Sequence, residues 1–254
     1  MKNIWTIAWR DFKSYFTSPI AYILIAGFLA IMGWMFFFNL SYFNQQNLQA
    51  MQMNLGKGVS ITDGIIRPLF GNMNVVLLFF VPFITMRLLA EERKNSTIQL
   101  LLTAPVTLAE IIAGKFLSSL LLVAVMLGLT LAYPIVLFTT GNPDPGPIAM
   151  AYLGTILLSG CYLSFGLLFS AMTENQIIAG ALTFAFGLFF WLVGWASQSV
   201  GSIWGDALEY LSLINHYNNF SQGMLNSTDI VFYLSFIFLG LFLTHRVLDS
   251  FRWR

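Results

Sequence analysis

Charge is scarce in this sequence, and histidine and cysteine are scarcer. Among 254 residues there are 12 Lys or Arg and 11 Asp or Glu, which puts charged residues at 9%, where soluble domains carry roughly one-quarter. That shortage excludes an ordinary soluble domain. The single cysteine, Cys161, excludes an intrachain disulfide and gives no reading of redox compartment. The only two histidines are His216 and His245, and no apolar run gathers histidines with carboxylates, so metal or nucleophilic catalysis has no candidate constellation. Neither a Gly-x-Ser-x-Gly elbow nor a Walker-type glycine loop ending in Lys-Ser or Lys-Thr occurs, so neither of those catalytic or nucleotide-binding devices is expected on this chain.

Apolar length is abundant. Hydrophobic residues make up 57% of the chain and include 25 Phe and 7 Trp. A charged side chain at the centre of a membrane helix costs about 2.5–3.5 kcal/mol, so charge-free runs mark spans. Crossing a hydrocarbon core of about 30 Å takes about twenty residues at a rise of about 1.5 Å. Six runs meet or approach that length, at about 20–40, 73–89, 115–138, 149–171, 176–196 and 230–248. Pro82 predicts a kink or local widening in the second, tolerable inside a bundle. Arg246 requires the last span to let its end snorkel toward headgroups. The expectation is an all-α membrane protein of six transmembrane helices, one domain over 1–254.

Residues 2–17 read as an amphipathic helix with Trp5, Ala8, Phe12, Tyr15 and Phe16 on one stripe. Too short and charged to span, it is expected in the membrane interface over 1–18, turning at Ser18-Pro19 into the first span. The alternative is packing on another cytosolic element. No cleavable signal peptide is expected, because the apolar run that follows is too long for one. With the N-terminus in the cytosol, ten of the 12 Lys and Arg residues fall on that side and only Lys57 and Arg67 outside. The acidic residues divide almost evenly, as the positive-inside rule allows. Both termini are therefore expected in the cytosol.

Segments 41–72, 139–148 and 197–229 are then external. The first reads as a loop, in part helical; the second as a Gly- and Pro-built turn; the third as interfacial or re-entrant, from its Trp and Tyr. Gly180, Gly187 and Gly194 recur along span five, and Gly166 and Ser170 form a small-residue pair in span four. Intramolecular helix packing is their simplest reading.

One stretch breaks the apolar pattern. Residues 87–115 hold seven of the 23 charged residues between two membrane-length runs. Arg87, Glu91, Glu92 and Arg93 open it. Ser96 and Gln99 then fit a capping box for a short helix bearing Ile98, Leu100, Leu101 and Leu102, which must stop before Ala104-Pro105. Thr107 and Glu110 form a second box that starts the helix of span three. An apolar-faced helix between charges of both signs suits a protein groove better than an anionic bilayer, although lying on lipid is the alternative.

The run Pro82…Met86-Arg87…Ala90-Glu91-Glu92-Arg93…Thr97…Leu100-Leu101-Leu102…Ala104-Pro105…Glu110-Ile111…Gly114-Lys115 resembles the ABC-2 type transporter permeases. The opening Phe16…Ser18-Pro19-Ile20-Ala21-Tyr22 and the closing His216…Phe220…Gly223…Asp229…Tyr233 look like the gliding-motility-associated subgroup. Ser96 stands where the family often has Gly, a change that still caps a helix. The resemblance implies six transmembrane helices with an N-terminal amphipathic interfacial helix and a short cytosolic coupling helix. It further implies contact between that coupling segment and a separate ABC ATPase subunit through Arg87, Glu91, Glu92, Arg93, Ser96, Thr97, Ile98, Leu101, Leu102 and Pro105. ATP and Mg would sit on that ATPase, with no cofactor or metal on this chain. A second permease subunit, the same or related, would complete the pathway in a bacterial inner membrane. Membrane lipid is the other partner and nucleic acid is not one. Export by alternating access is the family's usual mode. Substrate is not legible.

Three rivals differ in kind. Glu91-Glu92 resembles the paired glutamates of membrane proteases that act on prenylated proteins, but Ser96 stands where those need Arg. A secondary, ion-coupled transporter would place ionisable groups within its spans, whereas here charges map to span ends and loops. A scaffold without an ATPase is the remaining alternative.

Overall fold

A computed structural model of the protein describes residues 2–52, 60–95, 106–199 and 203–251. Every regular element among them is helical. Helix α1 (Lys2–Thr17) turns at Ser18 into α2 (Pro19–Gln52). A π-helical turn, Thr62–Ile66, leads into α3 (Arg67–Thr85), and α4 (Ala90–Lys94) follows after a turn. Then come α5 (Leu108–Thr130), α6 (Ala132–Thr140), α7 (Pro145–Met172) and α8 (Gln176–Ser199). The last are α9 (Ile203–Leu211), α10 (Leu213–Ser221) and α11 (Ser227–Ser250).

Six stretches are long and apolar enough to cross a membrane: Pro19–Gln52, Thr62–Lys94, Leu108–Thr139, Pro145–Met172, Gln176–Ala196 and Ser227–Ser250. The protein is thus an all-α membrane protein with the six expected spans. The bundle is built around α7, with 78% of its most apolar stretch buried, against 17% for α2 and 22% for α11. Small residues make α7 the centre. At Gly160 an added Cβ would lie 2.8 Å from Ile237, so α11 packs there without a side chain between. Lipid tails are as apolar as these side chains, so close packing rather than escape from water holds such helices together. The glycines of α8 also face inward, Gly180 toward Met86 and Gly187 toward Leu78 and Tyr162, which is the intramolecular reading of their spacing.

Several boundaries differ from expectation, the second span starting at Thr62 rather than 73 and the fourth at Pro145 rather than 149 among them. Residues 41–52 are not loop but a continuation of α2. No Gly or Pro follows Gly33 before Gly56, so nothing ends the helix where its composition turns polar. The third span starts earlier than 115, at the Thr107 cap, and breaks at Leu131. Pro134 has no N–H to give the Thr130 carbonyl, and the Leu131 N–H bonds back to Gly128 instead at 3.2 Å. The external segment 197–229 folds, where described, into α9 and α10.

Candidate functional site

The charged stretch lies at the end of the bundle where α1 ends and α5 begins. Thr107 caps α5 as its sequence predicts: its Oγ1 accepts from the Glu110 N–H at 3.3 Å, and Glu110 Oε2 accepts from the Thr107 N–H at 3.0 Å. Two turns along α5, Lys115 buries its ammonium, with 5% of the side chain exposed. A lone ammonium among apolar residues needs partners. It finds Glu92 Oε1 of α4 at 2.7 Å and Asp11 Oδ2 of α1 at 3.4 Å. Arg10 closes on the other Asp11 oxygen at 2.8 Å. One ionic chain therefore ties α1, α5 and α4 together. Burial pushes the nearby Tyr15 phenol well above its usual pKa, so it adds no charge to this set.

The opposite side of α4 is tied to the end of α7. Ser170 Oγ accepts from the Leu89 and Ala90 N–H groups, both at 3.0 Å, and donates to the Met86 carbonyl at 3.4 Å. Those amides open a helix with no cap of its own, so a side chain from another helix satisfies them. One turn earlier, a Cβ on Gly166 would sit 2.5 Å from Thr85 Oγ1, and only Gly allows this approach. Arg93 donates to the Ala171 carbonyl at 2.7 Å and pairs with Glu174 at 3.3 Å. Its guanidinium also stacks 4.4 Å from the Phe251 ring centre. Thus α4 is fixed to four parts of the chain: α1, α5, the α7 end and the residue after α11.

The predicted contact residues divide accordingly. Glu92 and Arg93 are engaged within the chain, whereas Glu91 is exposed. Arg87 borders a cavity of about 360 Å³, and its Nε is buried without an acceptor. Ser96, Thr97, Ile98, Leu101, Leu102 and Pro105, with the helix expected at 96–103, lie outside the described residues. Sequence reasoning did not single out Asp11, Glu174 or Phe251 for this joint, since each is remote from residues 87–94 along the chain. Lys115 carried a signal as the last charge of the 87–115 stretch, where the apolar run of span three begins. Ser170 carried a weaker one through its spacing from Gly166.

A second polar cluster closes the far end. His216 Nδ1 meets Asp229 Oδ1 at 2.6 Å, and Nε2 donates to the Tyr210 carbonyl at 2.9 Å. Asn219 donates to the other Asp229 oxygen at 2.9 Å, and the imidazole stacks on Phe232 at 4.0 Å. Tyr233 donates to the Leu213 carbonyl at 2.6 Å. These bonds pin α9 and α10 onto the start of α11, and His216 comes nowhere near the Glu91-Glu92 pair.

A search of curated proteins finds no match to the chain. A family model described as "ABC-2 family transporter protein" matches residues 5–244. That match takes in most of α1, α4, the far-end cluster and most of α11, and the protein therefore belongs to the ABC-2 family of transporter proteins.

Proposed function

We propose that this ABC transporter membrane subunit receives the work of a separate ATPase through residues 96–105 and passes it on through α4. The observation that carries the reading is the double anchoring of α4, by Lys115 and Asp11 on one side and by Ser170, Ala171 and Glu174 on the other. A push on the segment after Asn95 would reach α1, α5 and α7 at once, because buried ionic and backbone bonds leave α4 little freedom to yield alone. In this division of labour, Ser96, Thr97, Ile98, Leu101, Leu102 and Pro105 touch the partner, with Glu91 beside them. Glu92 and Arg93 transmit.

A second permease subunit, identical or related, completes the pathway, with an ATPase on each half. The motion alternates access between the two faces and drives export. The basic residues support a bacterial inner-membrane placement with both termini in the cytosol, and the opening and closing motifs support kinship with the gliding-motility-associated permeases. ATP and Mg belong to the ATPase. A photo-cross-linking residue at position 101 tests the reading: it should capture a polypeptide with a Walker-type nucleotide site. Cross-links to lipid alone would overturn it in favour of an ion-coupled carrier or a scaffold.

A further inference from the structure

The cavity of about 360 Å³ at the elbow between α1 and α2 has mixed walls. Its charged rim is Asp11, Arg87, Glu91, Glu92 and Lys115. Three of these form one ionic set, Lys115 holding Asp11 Oδ2 and Glu92 Oε1. Arg87 and Glu91 remain. Among the described residues no carboxylate pairs with Arg87, and its buried Nε has no acceptor. A guanidinium placed so is short of an anion, and a phosphate is the planar fork's usual oxygen partner. Glu91 offers an exposed carboxylate on the same rim.

Ser14, Tyr15 and Ser18 add hydroxyls from the elbow itself, and the remaining wall is apolar: Ile20, Ala21 and Leu24 from α2, Phe83, Ile84 and Leu88 around the end of α3. Ala21 and Ile84 are buried, but Phe83 is 52% exposed and Ile20 is half-buried. The apolar wall therefore runs outward onto the flank of two spans. Along α1 the rings of Trp5, Trp9, Phe12 and Phe16 continue in a contiguous row to Tyr22, stacked as far as Phe12 and edge-to-face beyond it, the amphipathic aromatic composition found at headgroup depth. A cation and an anion above an apolar lateral wall complement a zwitterionic headgroup above its acyl chains.

We propose that this elbow binds one phospholipid with an amine headgroup, its phosphate on Arg87 and its ammonium on Glu91. The assignment does not depend on the proposed ATPase contact, and its test needs no ATPase. The purified chain in mild detergent is titrated with short-chain phosphatidylethanolamine, short-chain phosphatidylcholine or inorganic phosphate, and bound ligand is counted by native mass spectrometry. Phosphatidylethanolamine should bind best. Arg87→Gln should weaken it about tenfold, the loss of one charge-assisted pairing. Arg87→Lys should restore part of the binding. Glu91→Gln should erase the preference over phosphatidylcholine, whose quaternary amine donates no hydrogen bond. Should Arg87→Gln not fold, Leu24→Trp blocks the lateral wall with the charges intact and should exclude lipid equally. Retention unchanged in Arg87→Gln, or in Leu24→Trp where that variant stands in, would overturn the proposal. So would Arg87-dependent binding of inorganic phosphate without lipid.

Discussion

Lys115 shows what a single residue does at this joint. Its ammonium is buried between two carboxylates from different helices. Such a triad is weak evidence for net stability, but removing one partner leaves like charges facing each other. Lys115→Met should therefore destabilise the chain, by about 2 kcal/mol once the usual cost of about 3–5 is discounted for carboxylates that remain partly solvated. Asp11 and Glu92 keep 16% and 24% of their side chains exposed, which sets that discount. Adding Glu92→Leu should recover part of the loss in detergent unfolding, and an unchanged midpoint in Lys115→Met would show the ionic chain to be incidental. The sequence marked Lys115 as the last charge of the 87–115 stretch, at the start of an apolar run, yet its partners could not be named from it. Asp11 lies 104 residues away along the chain, and only packing brings the two together.

At the scale of elements, α1 has three faces rather than the single stripe its periodicity suggests. Ala8 is fully buried, as expected of that stripe, whereas Trp5 is 57% exposed. Ile4 and Ile7 instead press on α5 at Gly114, where an added Cβ would lie 2.7 Å from Ile7 Cγ2 and 3.2 Å from the Ile4 carbonyl. The aromatic row stands beside this contact, and Arg10 and Lys13 lie on the remaining side. Both alternatives for this helix thus have a face: one packs on protein and another suits the membrane interface. Gly114→Ala should loosen α1 and raise hydrogen exchange across residues 3–17, and Ile7→Ala in the same chain should reverse it by vacating the space. Exchange that stays low in Gly114→Ala would mean that α1 is held elsewhere. Element starts were legible where a capping box marks them, as at Thr107; the start of α7 at Pro145 was not, since 139–148 reads as a turn. The far end of α2 was not, because polar composition alone does not stop a helix.

For the whole molecule, six apolar runs foretold six spans, since length and charge cost are properties of the local sequence. Their arrangement around α7 was hidden, because small residues permit contact without naming the partner. The joint was half legible: the charge cluster was visible at 87–94, but its anchors at Asp11, Ser170, Glu174 and Phe251 come from the ends of other helices. The central claim is that ATPase work enters just beyond this joint. It is tested most directly by purifying the chain from its native membrane in mild detergent, as wild type and as Leu101→Asp, and measuring bound ATPase activity. The account predicts ATP hydrolysis with the wild type and its loss with Leu101→Asp, while the six spans still insert and α4 stays anchored. Equal hydrolysis in both, or none with the wild type, would contradict it.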